Sequence, residues 1–192
     1  MKKIYLIYGP TGSGKSQFAD LLGEVIGAPI INADSMQVYS EIKILNASPK
    51  ITSESEQEYL LYNYISASKH YSVGQYIKDV TNILSHNTNY QIIGGTGMYI
   101  SSLLKGISDI PDIPHEIREL SEKKLQLEGK EKFYEELLKM DPDIKNHVDP
   151  SNRQRLIRCY EVIKYSGRSL ISYKQSKSHC ILKDFEVIKE RK

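Results

Sequence analysis

The stretch Gly9-Pro10-Thr11-Gly12-Ser13-Gly14-Lys15-Ser16 constrains this chain more than any other. Ahead of it, Lys3–Tyr8 is a short apolar run. Behind it, Phe18, Leu21, Leu22, Val25 and Ile26 recur at helical spacing over Lys15–Ile26. The order is therefore strand, glycine-rich loop, helix. Such glycines free the backbone to turn its N–H groups inward around a phosphate, at the positive end of the following helix. Lys15 adds a point charge and Ser16 can ligate Mg²⁺. A phosphate-bearing ligand is expected at Gly9–Ser16, with Mg²⁺ as its cofactor.

The remaining pattern extends that unit. Pro29–Ala33 reads as a second buried strand, and Tyr62–Ser66 as a further one. Val73–Leu84 has helical spacing, and Tyr90–Ile93 is a strand running into the glycine turn Gly94-Gly95-Thr96, with a helix from Gly97 to about Leu104. Ser48–Glu58 is polar and reads as a surface connection. Strands interleaved with helices imply a parallel sheet with crossover helices, the α/β class, whose ligands bind at the carboxyl ends of the strands. Past Pro111 and Pro114 the texture changes. His115–Met140 is charged and helical, and Asp149–Tyr165 reads as a second long helix opened by an N-cap aspartate and Pro150. The expected organisation is an α/β core over 1–112, a helical insertion over 113–170, and a return to the core over 171–192.

Composition narrows the function classes. At 192 residues and 40% apolar content the chain suits one globular domain with a small insertion. No apolar run approaches a membrane span, and the stretch after Met1-Lys2-Lys3 is too short for a signal peptide, so a cytoplasmic chain without a membrane partner is expected. Cys159 and Cys180 lack metal or redox spacing, and His70, His86, His115, His147 and His179 are scattered. Charge is uneven. Residues 151–192 hold 11 Lys and Arg against 4 Asp and Glu, whereas residues 1–150 hold 15 against 20. The basic end fits a polyanion-binding face or simply a solvated basic helix.

A phosphate loop does not name a reaction. A kinase or NTPase calls for a later strand ending in an aspartate that reaches the magnesium. Here Tyr90–Ile93 ends in Gly94-Gly95-Thr96, and the acid stands instead at Asp34, after the second strand. An aspartate leaving a parallel strand at that end points over the phosphate loop and can take a proton from an incoming nucleophile, although a turn or N-cap role suits it too.

Five blocks, GPTGSGKS at 9–16, NADSMQVY at 32–39, YSVGQY at 71–76, GGTGMYI at 94–100 and DPSNRQRLIRCYEVIKYSGRSL at 149–170, resemble the tRNA dimethylallyltransferase family in its order. The resemblance implies a P-loop NTPase-like parallel sheet with flanking helices and a helical insertion. It implies that Gly9, Pro10, Thr11, Gly12, Ser13, Gly14, Lys15 and Ser16 hold dimethylallyl diphosphate, and that a flipped adenosine beside the anticodon of tRNA receives the dimethylallyl group on N6. By the same resemblance Asp34 is the base for the adenine amine, Ser35, Met36 and Gln37 line the base pocket, and Thr96 sits close to the reacting groups. Arg118 and the segment Gln154, Arg155, Leu156, Ile157 and Arg158 correspond to tRNA contacts. A monomer is expected.

The chain departs from the family in two places. Tyr59-Leu60-Leu61-Tyr62-Asn63 stands where the family usually shows His-His-Leu, and family members continue well past the position of Lys192. A truncated or split gene product is the expectation from the second difference. The alternatives to the prenyl transferase are a small P-loop kinase of metabolites or nucleotides and an inactive truncated remnant.

Overall fold

The computed structural model describes residues 2–50, 57–85, 89–175 and 180–192. The stretch 51–56 of the expected surface connection, together with His86 and His179, lies outside the described residues. Two compact units emerge. One comprises residues 1–106 with 180–192, the other residues 107–179.

The first unit is built on an all-parallel five-stranded sheet: β1 (Lys3–Tyr8), β2 (Ile30–Asn32), β3 (Tyr59–Leu60), β4 (Tyr90–Gly94) and β5 (Glu186–Arg191), in the order β3-β2-β4-β1-β5. β2 and β4 are buried along their whole length, as continuous apolar runs in a parallel sheet must be, whereas the edge strand β5 is mostly exposed and charged. Tyr8 lies beside Gly94 and Asn32 beside Ile93, so β1, β2 and β4 finish at nearly one level. Helices α1 (Lys15–Ile26), α2 (Val73–Leu84) and α3 (Gly97–Lys105) complete this unit.

α1 meets the sheet differently from the simplest reading of its pattern. Leu21 and Val25 are 56% and 82% exposed, and the residues it buries are Ala19 and Gly23. Small side chains let the helix backbone approach Ile7, Ile30 and Ile93 closely, while Phe18 and Leu22 flank that contact. The expected strand at Tyr62–Ser66 is also not formed. Leu61 and Asn63 take φ of 62° and 51°, which turns the chain out of the sheet after Leu60 and leaves a single bridge between Tyr39 and Ile65.

The second unit packs α4 (His115–Met140), α5 (Arg153–Ser166) and α6 (Leu170–Gln175) around Leu125, Phe133, Leu137, Ile144, Leu156 and Val162. α4 is two helical segments broken at Gly129, where φ is 77°. Lys124 spans the break, its Nζ 2.7 Å from Glu128 Oε1 and 2.8 Å from Glu136 Oε2. α5 begins later than the sequence suggests. Asp149 Oδ1 accepts from Ser151 N at 2.8 Å and so caps a turn, and the helix is capped by Asn152, whose Oδ1 accepts from Arg155 N at 3.0 Å. Among the described residues no helix is long and apolar enough to cross a membrane.

Candidate active site

The phosphate loop joins β1 to α1 as expected. Gly12 and Gly14 adopt φ of 79° and 80°, a left-handed backbone that glycine enters without strain. Gly14 is the N-cap of α1, no side chain caps the helix, and its first turn carries no acid, which leaves that N-terminus electropositive. Lys15 folds back over the loop, its Nζ donating to Pro10 O at 2.5 Å and reaching Ser13 Oγ at 3.5 Å. An arriving anion can replace these two neutral acceptors. Ser16 lies exposed in the first turn of α1.

The chain leaving β2 is tied down at almost every polar atom. Asp34 Oδ1 accepts from Met36 N at 2.9 Å and Asp34 O from Gln37 N at 3.2 Å, closing a tight turn at Asp34–Gln37. Asn32, fully buried at the end of β2, accepts from Asp34 N at 2.8 Å through Oδ1, and its Nδ2 donates to Asp34 O at 2.9 Å and Leu61 O at 3.0 Å. Thr96 stands at the N-cap position of α3 without capping it. Its Oγ1 instead accepts from Ser35 N at 2.8 Å and donates to Ser35 Oγ at 3.2 Å. Met36 is exposed, and Gln37 Nε2 donates to Asn46 O at 2.9 Å.

Gly94 and Gly95 bring these pieces together. A Cβ on Gly94 would run into the Ala33 carbonyl and stand 2.7 Å from Asp34 N. A Cβ on Gly95 would stand 3.2 Å from Gly9 O and 3.9 Å from Asp34 Oδ2. The Asp34 carboxylate and the Gly9 carbonyl at the start of the phosphate loop therefore both border Gly95, at the carboxyl ends of β1, β2 and β4. Tyrosines close to Asp34 stay protonated. Burial, followed by the nearby Tyr39 and Asp34, pushes the Tyr99 hydroxyl up to about 12. Burial likewise raises Tyr62, with smaller contributions from Tyr59, Asp20 and Asp34.

The motif YSVGQY is scaffold. Ser72 caps α2 by accepting from Gln75 N at 3.3 Å. Tyr71 and Tyr64 each donate to Asp79 Oδ2 at 2.7 Å, and Tyr76 stacks on Tyr99 with ring centroids 3.9 Å apart.

In the second unit the candidate RNA-contacting residues divide. Gln154 and Arg155 are exposed at the start of α5, whereas Leu156 and Ile157 are buried in the helical core. Arg158 is half-buried, its Nη1 3.2 Å from Glu161 Oε2. Arg118 is also half-buried, and its Nε is shielded from solvent without a hydrogen-bond partner. Asn32 is the site residue that sequence reasoning missed. An asparagine ending an apolar strand and standing two residues before a candidate base was the available signal.

Residues 37–189 match the family model described as IPP transferase. A tRNA dimethylallyltransferase of Pelagibacter ubique (strain HTCC1062) is 42% identical over 175 residues, covering 89% of this chain and 56% of the relative. One from Orientia tsutsugamushi (strain Ikeda) is 36% identical over 98% of this chain and 67% of its own length. The chain thus spans roughly three fifths of the length of the curated relatives it matches. A eukaryotic dimethylallyltransferase, crystallised acting on tRNA, superposes with a TM-score of 0.79 at 23% identity, over all of this chain and 48% of that one. A full-length tRNA isopentenylpyrophosphate transferase from Bacillus halodurans is 28% identical with a TM-score of 0.51, covering 88% of this chain and 57% of that one.

Proposed function

From the chain's membership of the IPP transferase family, which its match over residues 37–189 establishes, we propose that it moves a dimethylallyl group from dimethylallyl diphosphate to the N6 amine of an adenosine beside the anticodon of tRNA. The observation that carries this reading is that Gly9 O and Asp34 Oδ2 both lie within 4 Å of where a Cβ on Gly95 would stand, which supports a candidate proton acceptor and a candidate diphosphate loop at the same strand ends.

In this reading the phosphate loop Gly9–Ser16 holds the diphosphate on its N–H groups, and Lys15 exchanges Pro10 O and Ser13 Oγ for phosphate oxygens. The adenine, flipped out of the anticodon loop, lies against Ser35, Met36 and Gln37 with its amine at Asp34. The amine nitrogen attacks the allylic carbon, the carbon–oxygen bond to the diphosphate breaks, and Asp34 takes the amine proton. Charge growing on the leaving diphosphate is met by Lys15 and the loop N–H groups already in place. Thr96 acts beside Asp34 by fixing Ser35 through two hydrogen bonds. The absence of an acid at the end of β4, where a kinase needs one, is consistent with carbon–oxygen rather than phosphoryl chemistry.

Mg²⁺ fits as a companion of the diphosphate. Among the described residues no group of three or more His, Cys, Asp or Glu can hold a metal. Mg²⁺ commonly binds through one or two protein ligands, substrate phosphates and water, and Ser16 offers the hydroxyl for such a site. When bound, the ion neutralises charge on the diphosphate.

In this proposal residues 1–106 with 180–192 carry the chemistry and 107–179 bind tRNA, so the divisions expected at 112 and 170 move to 106 and 179. Within the tRNA-binding part, Gln154 and Arg155 are the exposed contacts, Arg118 and Arg158 supply partly buried charge, and Leu156 and Ile157 hold the helix that presents them. The protein works as a cytoplasmic monomer.

The test is transfer of labelled dimethylallyl from its diphosphate to unmodified tRNA, using the full gene product that carries residues 1–192. Lys15→Ala is expected to abolish diphosphate binding while tRNA binding persists. Transfer by that variant at the parent rate would refute the assignment of the loop.

A further inference from the structure

The base in this reaction sits on a loop, and loops hold catalytic groups in place only when something rigid supports them. Asp34 has three kinds of support. Its own turn is closed by Met36 N and Gln37 N. Thr96 fixes Ser35 from α3. Asn32 grips both the N–H and the carbonyl of Asp34 from inside the sheet. The first two act from residues that move together with the turn or flank it, whereas Asn32, from inside the sheet, holds both the N–H and the carbonyl of Asp34.

Asn32 also does something the other supports do not. The amide that holds Asp34 O also donates to Leu61 O, 29 residues further along the chain. Leu61 takes φ of 62°, a conformation that costs a branched, bulky residue energy and persists only where its surroundings enforce it. One fully buried side chain therefore clamps the loop after β2 to the loop after β3. The loop after β3 continues into Asn63 and Tyr64, whose N–H groups donate to Gln37 O and Val38 O at 2.9 Å each. The Asn32 clamp thus sets both ends of the segment 34–38 that carries the base and the base pocket.

We propose that Asn32 is a positioning residue for prenyl transfer: it fixes the Asp34 backbone and locks the loop at Leu61–Tyr64 against the pocket, without touching either substrate. This inference rests on the assignment of Asp34 as the base. A misplacement of a reacting group by about 1 Å lowers rate by up to about 10²-fold, and the phosphate loop lies on a separate set of hydrogen bonds. The rate of transfer and the affinity for diphosphate therefore respond separately to Asn32.

The experiment uses the full gene product with Asn32→Ala, Asn32→Leu and Asn32→Ser, measured by single-turnover transfer and by titration with inorganic diphosphate, which also counts folded sites. Serine can still accept from Asp34 N as a short local turn does, but it cannot hold Asp34 O and Leu61 O together. Alanine and leucine are expected to lower single-turnover transfer by about 10–10²-fold per folded site with diphosphate affinity within about threefold of the parent, and serine to recover part of the loss. Transfer within about threefold of the parent in the alanine and leucine variants would overturn the proposal. Parallel loss of diphosphate binding and transfer in all three, serine included, would also overturn it, because that pattern is general structural damage. A parent that binds both substrates but transfers nothing refutes the function itself, an outcome distinct from a working parent with unaffected variants.

Discussion

Replacing Gly14 with alanine isolates what the phosphate loop requires of its glycines. A Cβ at Gly12 or Gly14 meets nothing within 4 Å, so an alanine there suffers no collision. Its whole penalty is the backbone at φ near 80°, about 1–2 kcal/mol for an L-residue in the left-handed region. With the same backbone required around a bound diphosphate, the alanine loop occupies the binding conformation less often by about 5–30-fold, since 1.4 kcal/mol is roughly tenfold. Isothermal titration with inorganic diphosphate is expected to show a loss of that size, with tRNA affinity unchanged. Gly14→Asn is expected to lose less, because asparagine visits this region more readily than alanine. Affinity equal to the parent's in the alanine variant would refute the reasoning. So would a larger loss in the asparagine variant than in the alanine variant, since that would make side-chain bulk the cause.

Asp34→Asn keeps the shape of the side chain and its capping oxygen for Met36 N but removes the proton acceptor, so single-turnover transfer is expected to fall by at least about 10² with both substrates bound within a few-fold of the parent. Wild-type transfer rates in that variant would reduce Asp34 to the capping role its bond with Met36 already shows. Arg155→Ala is expected to flatten the salt dependence of tRNA binding by about one unit of log–log slope, as loss of one phosphate contact does. Arg158→Ala should change that slope less, because its guanidinium is already engaged by Glu161; equal changes would show that the ion pair opens on RNA. Leu156→Ala, at a fully buried position, is expected to lower unfolding free energy by about 2–5 kcal/mol in chemical denaturation, and an unchanged midpoint would remove Leu156 from the core that presents Arg155.

What the sequence discloses here depends on the range over which a feature is determined. The phosphate loop and its flanking strand and helix are written in neighbouring residues, and they form where the pattern puts them. Capping is harder, because Asp149 and Asn152 are both good N-cap residues three positions apart. The contest is decided by Asp149 engaging Ser151 N, which leaves Asn152 free to receive Arg155 N. Gly129 gives a mild warning within a helical pattern and then adopts φ of 77°, dividing α4. The inward face of α1 eluded the apolar pattern altogether, since close approach to the sheet selects Ala19 and Gly23 over the larger Leu21 and Val25. Asn32 was hidden for another reason. Its partner Leu61 is 29 residues distant, and its importance arises only from the turn at positive φ that closes over it.

The four sequence blocks of the first unit are also related by contact. Tyr76, from the block at 71–76, stacks flat on Tyr99, from the block at 94–100, and both rings are almost completely buried. Tyr99 lies in the first turn of α3, directly after the Gly94-Gly95-Thr96 turn. Thr96 in turn holds Ser35, from the block at 32–39, and Gly95 approaches Gly9 of the phosphate loop. Four separate stretches thus form one chain of contacts: α2 supports α3 through an aromatic stack, Thr96 at the start of α3 holds the turn at Asp34, and Gly95 lies beside both that turn and the glycine-rich loop. A tyrosine at position 76 needs no chemistry of its own to matter in such an arrangement. Its ring packs flat on the first turn of α3, and the residue before that turn, Thr96, holds Ser35 beside Asp34.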